Sequence, residues 1–567
     1  MKRSNRSVAA GLAVLAGMII ASGAGAQYTG PVEVETAEFG QDTFSIGSLS
    51  PAEGALPRNL WQGANAGDIA LLLDNAPARF AHPAQAEIFR RVMLSPGNGP
   101  ANAPESLTGK KLMALARAGF YEEAASLAEL AGGLSTRPGL AESVAYADMM
   151  RGDMNAACRR GANLQSGRNS PFWLKLRFIC YTVSGETAAA DLTLGLLREQ
   201  SLLSAEEDAL FVGLATGTRP TGNIQPGTGF QYAAVRQLQM PLDLNRLDAV
   251  DGAVLVALAN DTSAPQEARV FAAERAARFG LISGERLGAI FASLQFPPDR
   301  LQSAGLLLRE QPGNVLVDAL AWQAVTQLSA PEMALDRADL VARALGAADD
   351  MDRFLALAQL YAPMISQFDV VANFAPHARE FALVGIMTDR QEIAGKWLTA
   401  LATDTTQANG IEQAIELLQL WSLRDEFRAK SIGNFAGLTI TPPMVEETAF
   451  TQSSGTADAA LIPELVRISL ASRDTVPTGQ AALVALLAST VSASAELESV
   501  RQIIQTGNLQ SAGLSDINKD QAFLSRAALL FGDTQRPAAP TAPRSAVSET
   551  GEPSAEIRPR IKPPVDG

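Results

Sequence analysis

RAGFYEEAASLAEL (117–130), MRGDMNAACRRGANL (150–164) and VSGETAAADLTLGLL (183–197) share one pattern at a spacing of 33 residues: Gly119, Gly152 and Gly185 each stand five residues before an alanine, Ala124, Ala157 and Ala190. Each stretch reads as a helix that ends at glycine and a second helix that starts just beyond it. Glycine suits the sharp turn because a residue without Cβ enters the left-handed backbone region freely. Alanine suits a helix crossing because a small side chain lets two axes approach. Pro138 and Pro171 keep the same spacing and fall where a first helix opens, a position whose missing N–H is harmless. Three residue types thus agree on a stack of antiparallel helix pairs. Such units bury their apolar faces only against neighbours, so the spacing predicts an α-solenoid.

Composition extends this reading along the chain. Hydrophobic residues make up 47% and charged residues 19% of the 567 positions, ample to bury a core. Alanine and leucine dominate while β-branched and aromatic runs are scarce, which favours an all-α protein. Residues 1–26 read as a cleaved secretory signal peptide: Lys2, Arg3 and Arg6 precede an apolar run, and Ala24 and Ala26 stand just before Gln27. That run is short for a bilayer span, and no later stretch is long and apolar enough, so a periplasmic chain with no membrane span after cleavage is expected. Residues 27–105 read as an irregular, partly strand-like segment with two helices, GDIALLLDNA (67–76) and PAQAEIFRRVML (83–94). The repeats occupy 106–214, a Gly/Pro/Thr-rich loop 215–231, a second helical array 232–440, and a C-terminal helical block 441–533. Residues 534–567 form a Pro-rich tail expected to be disordered, because its composition cannot bury a core.

Charge and motifs exclude several functions. A net charge of −14 without a Lys/Arg stripe makes nucleic acid and anionic lipid surfaces poor partners. The only cysteines are Cys158 and Cys180. In an oxidising compartment such a pair reads as a disulfide, and the repeat adds geometry: the two lie at similar heights on either side of the turn near 167–171. The only histidines, His82 and His377, sit beside prolines without a nucleophile elbow, and read as structural. No phosphate-binding glycine loop and no zinc spacing occurs, so no cofactor, metal or catalytic residue is expected. The acidic clusters Glu122–Glu123, Glu206–Glu207–Asp208, Asp349–Asp350–Asp352 and Glu446–Glu447 read mostly as helix starts, where negative charge complements the dipole.

GFYEEA (119–124), GDMNAA (152–157) and GETAAA (185–190) resemble the central glycine and helix-crossing alanine of tetratricopeptide repeats, over about three divergent units. The exported, alanine-rich chain also looks like periplasmic helical-repeat proteins of alphaproteobacteria. In the tetratricopeptide family the first helix of each unit lines a concave face. The resemblance therefore implies a candidate groove of Met113, Arg117, Glu142, Tyr146, Met149 and Lys175. The expected function is that of a non-enzymatic scaffold binding a protein or peptide partner in the cell envelope. The alternative is a peptidoglycan-acting or glycan-binding protein resembling the superhelical part of soluble lytic transglycosylases. The nearest match to their Glu-Ser motif, Glu142–Ser143, lies inside a repeat helix rather than in a separate catalytic domain.

Overall fold

Two helices precede the repeats in the computed structural model, α1 (Ala66–Asp74) and α2 (Pro83–Leu94). The structure describes residues 43–441 except 81–82, 222–223, 349, 371 and 404–408, and also 461–471, 478–490, 523, 526 and 527. The expected leader at 1–26, His82, Glu446–Glu447 and the tail expected to be disordered at 534–567 lie outside the described residues. Ahead of α1, the expected strand-like stretch around DTFSIGSL contains a 3-10 turn at Thr43–Ser45 and irregular backbone, and no strand occurs among the described residues. The buried Lys111 explains why this segment orders without a sheet. Its ammonium donates to the carbonyls of Phe44 (3.0 Å) and Ile46 (3.1 Å), supplying the donors that a neighbouring strand would have supplied.

The repeats follow as three helix pairs: α3 (Glu105–Arg117) with α4 (Tyr121–Ala131), α5 (Pro138–Arg151) with α6 (Met154–Ala162), and α7 (Pro171–Ser184) with α8 (Thr187–Glu199). Pro138 and Pro171 open α5 and α7 at their first helical position. Gly152 (φ +83°) and Gly185 (φ +77°) end the same two helices in the left-handed conformation. Ala124, Ala157 and Ala190 are buried where the helices cross. A disulfide joins Cys158 on α6 to Cys180 on α7, with the two Cα atoms 5.8 Å apart. Closing this 22-residue separation removes loop entropy from the unfolded chain, so Cys158→Ser/Cys180→Ser is expected to lower stability by roughly 3 kcal/mol in urea unfolding. Equal midpoints for the variant and the oxidised parent would contradict this.

Helices continue through α9 (Ala205–Thr216), α10 (Gly229–Gln237), α11 (Gly252–Asn260), α12 (Gln266–Arg278) and α13 (Gly284–Ala292). Next come α14 (Pro298–Gln302), α15 (Ala304–Glu310), α16 (Val315–Gln327), α17 (Ala334–Gly346) and α18 (Met351–Ile365). The array ends with α19 (Ala378–Met387), α20 (Gln391–Thr403), α21 (Gly410–Ser422) and α22 (Glu426–Phe435). The segment AREFALVGIMTDRQEIAGKWLTAL (378–401) forms the pair α19–α20. Asp389 takes a left-handed φ of +54° between them, and the Arg390 N–H returns to the Gly385 carbonyl (2.8 Å). From the C-terminal block come α23 (Ile462–Ala471) and α24 (Thr478–Thr490). Residues 491–533 of that block lie outside the described residues but for three positions. Helix α24 packs against α1 and α2, where the Gly479 N–H donates to the Leu60 carbonyl (2.9 Å), and Arg467 of α23 pairs with Asp68 of α1 (2.6 Å). The C-terminal block therefore rests on the helices that begin the array.

One ionic cluster lies in the core where α12, α16 and α18 meet. Arg353 forms two hydrogen bonds to one oxygen of Asp318, through Nε at 3.0 Å and through a terminal nitrogen, and its Nε lies 3.2 Å from Glu274. Arg278 adds a second cation to Glu274 at 2.9 Å. Glu274, Asp318 and Arg353 are all at most 1% exposed.

Candidate functional site

The six expected groove positions divide into two groups, because the chain folds back on part of its own repeat face. Helix α10 packs on α5 and α7, and α11 packs on α3 and α5. Both arrive by their first residue, and both first residues are glycine. A Cβ on Gly229 would overlap the Tyr146 hydroxyl, and one on Gly252 would overlap the Ala118 carbonyl oxygen. Tyr146 and Met149 are consequently core residues, 3% and 2% exposed, rather than groove-lining ones. Lys175 is engaged within the chain as well: its ammonium pairs with Glu207 of α9 (2.8 Å) and lies 5.8 Å from the ring centre of Phe230.

Met113, Arg117 and Glu142 remain together. They line a cavity of about 480 Å³ between the end of α1, the length of α3 and the start of α5. Its floor is narrow because α3 and α5 cross at Gly109 and Gly139, where a Cβ on Gly109 would come within 2.8 Å of the Gly139 Cα. Ion pairs tie its rim, Lys110 to Asp74 (2.5 Å) and Arg137 to Glu105. Glu142 accepts from the Ser170 hydroxyl (2.7 Å). Burial pushes the Glu142 carboxyl above the usual range, opposed by that hydroxyl and by Lys110. Arg117 is the exception: half-buried, it makes no hydrogen bond or ion pair among the described residues. Asp251, at the start of α11, feels its charge from beyond ion-pair distance. Burial raises that carboxyl to about 6, and Arg117 and Arg79 pull it down.

This cavity offers guanidinium and ammonium donors, carboxyl acceptors and a thioether, and its lining includes neither histidine nor cysteine. Ser143, the second half of the Glu-Ser pair, is buried and donates to the Leu140 carbonyl (2.7 Å) one turn earlier, so its hydroxyl serves the helix. His377 sits at the start of α19, where partial burial lowers its pKa and Asp339, 3.8 Å away, opposes this. Three acidic clusters sit at helix starts: Glu122 in the first turn of α4, Glu207 in a capping box on α9, and Asp350 capping α18 through the Arg353 N–H (2.7 Å). No group of three or more His, Cys, Asp or Glu residues suited to a metal ion occurs among the described residues. No described helix is long and apolar enough to cross a membrane. Sequence reading missed the coverage by α10 and α11, whose only local signal is a glycine at each helix start. Compared with protein-family models, curated proteins and solved structures, the chain has no match.

Proposed function

We propose that this chain is an exported, tetratricopeptide-like scaffold that binds a protein or peptide partner in the cell envelope. The partner docks at the cavity lined by Met113, Arg117 and Glu142. The observation that carries this reading is the half-buried Arg117, unpaired among the described residues, in a cavity on the repeat helices α3 and α5. A guanidinium held in a concave site with a free planar fork is suited to the carbonyls and carboxylates of a docking chain. Export is supported by the leader-like start and by the disulfide, which persists in oxidising compartments.

Photo-crosslinking tests the proposal in the producing cell. A benzoylphenylalanine at Met113 is expected to give a discrete adduct with an envelope protein that the same probe at Ser126, exposed on α4, does not give. Arg117→Gln should reduce that adduct at least severalfold, and the recovered protein should begin at Gln27. Identical adduct patterns from Met113 and Ser126, or a chain retained in the cytoplasm, would overturn it.

A further inference from the structure

A larger cavity of about 1040 Å³ opens where α10, α11 and the start of α12 meet the second repeat at Gly152. It lies away from the Arg117 site and shares no lining residue with it. Its volume is at the upper end for small-molecule sites. Its lining includes the aliphatic Val235, Met240, Leu242, Leu244 and Leu258.

Its polar lining is held in place. Asp261 is 7% exposed and accepts from Arg236 (Nε at 3.0 Å, a terminal nitrogen at 3.2 Å), from the Tyr232 hydroxyl (3.2 Å), and from the N–H (3.0 Å) and hydroxyl (2.6 Å) of Ser263. These bonds saturate the carboxylate and fix Arg236. The remaining terminal nitrogen of Arg236 lies against Gly152, in the space a Cβ would fill. Arg219 reaches the same end of α10, its Nε donating to the Leu238 carbonyl (2.9 Å), which leaves both terminal nitrogens without a partner among the described residues. The acidic lining residue besides Asp261 is Glu267, exposed in the first turn of α12. Uncommitted guanidinium donors therefore face a cavity whose buried carboxylate is already neutralised.

We propose that this cavity binds an amphipathic anion, with a carboxylate or phosphate head on Arg219 and the free nitrogen of Arg236, and a medium-length aliphatic chain along the Val235–Leu258 lining. Apolar area drives the chain in, and charge-assisted hydrogen bonds orient the head. Gly152 thus serves twice, as a helix terminator and as the space that admits Arg236.

Isothermal titration of the full exported protein with sodium dodecanoate, kept below micelle formation, tests this. Dodecyl phosphate in parallel distinguishes the two head groups; butanoate and dodecan-1-ol remove the chain and the charge in turn. Saturable 1:1 binding of dodecanoate or dodecyl phosphate is expected, with butanoate and dodecan-1-ol at least about tenfold weaker. Arg219→Gln should weaken binding about tenfold without moving the unfolding midpoint of the unliganded protein, and Leu242→Asp should weaken it independently. Butanoate binding as tightly as dodecanoate, unsaturable uptake, or an unchanged affinity in Arg219→Gln would overturn the assignment.

Discussion

Arg353→Met is expected to destabilise the protein by about 3–5 kcal/mol, because it removes one cation from between two carboxylates that have no water to turn to. Glu274 and Asp318 are fully buried, and one oxygen of each already lacks a hydrogen-bond partner. Arg278 pairs directly with Glu274 and acts on Asp318 only from beyond ion-pair distance. Urea unfolding measures the loss; a change under about 1 kcal/mol would show that the cluster relaxes or is hydrated. The same cluster predicts a pH dependence. Burial, then the Glu274 carboxylate, raise Asp318 to about 7 against the pull of Arg353. A folded-state value above the unfolded one, about 3.9, means that the group favours folding at low pH. Its contribution is complete below about pH 4 and is lost as pH rises through about 7. Asp318→Asn should flatten that part of the stability profile; an unchanged slope would place the titration elsewhere.

Gly252→Ala is expected to cost about 1–3 kcal/mol and to lift α11 from the repeats. The added Cβ would overlap a backbone carbonyl, that of Ala118, which has no rotamer by which to retreat. Hydrogen bonds fix the start of α11 beside it: the Gly252 N–H donates to the Ala78 carbonyl between α1 and α2 (2.7 Å), and the Asp251 N–H to that of Gly227, just ahead of α10 (2.8 Å). Gly185→Ala is the contrasting case. Nothing lies within 4 Å of the Cβ it would add, so it costs only the left-handed strain at φ +77°, roughly 1–2 kcal/mol, and should leave α11 in place. A Gly252→Ala protein whose melting and near-ultraviolet dichroism match the parent would show that the contact is looser than the geometry requires.

These two positions mark where sequence reading reached and where it stopped. The turns at Gly152 and Gly185, the buried alanines and the opening prolines were legible because each follows from local backbone demands repeated at a fixed interval. The disulfide was legible for the same reason, since the repeat sets both cysteines at matching heights. The self-covered face was not, because Gly229 and Gly252 look like ordinary helix starts until they are placed against Tyr146 and Ala118, 83 and 134 positions earlier. Glu274 and Asp318 were hidden in another way. In the segments AERAAR (273–278) and NVLVDAL (314–320) nothing local marks them as buried, and only the meeting of α12, α16 and α18 encloses them. The strand-like reading near residue 43 failed because a lysine from α3, rather than a strand, satisfies its carbonyls.

Hydroxyl-radical footprinting of the oxidised, full-length protein tests most directly whether the chain covers its own repeat face. Met113, Tyr146 and Met149 belong to the same first-helix face by position, but only Met113 lies in the part that remains open. Rapid labelling of Met113, near silence at Tyr146 and Met149, and the appearance of Tyr146 labelling in Gly229→Ala are expected. Comparable labelling of all three in the parent protein would mean an open groove, and would contradict self-coverage.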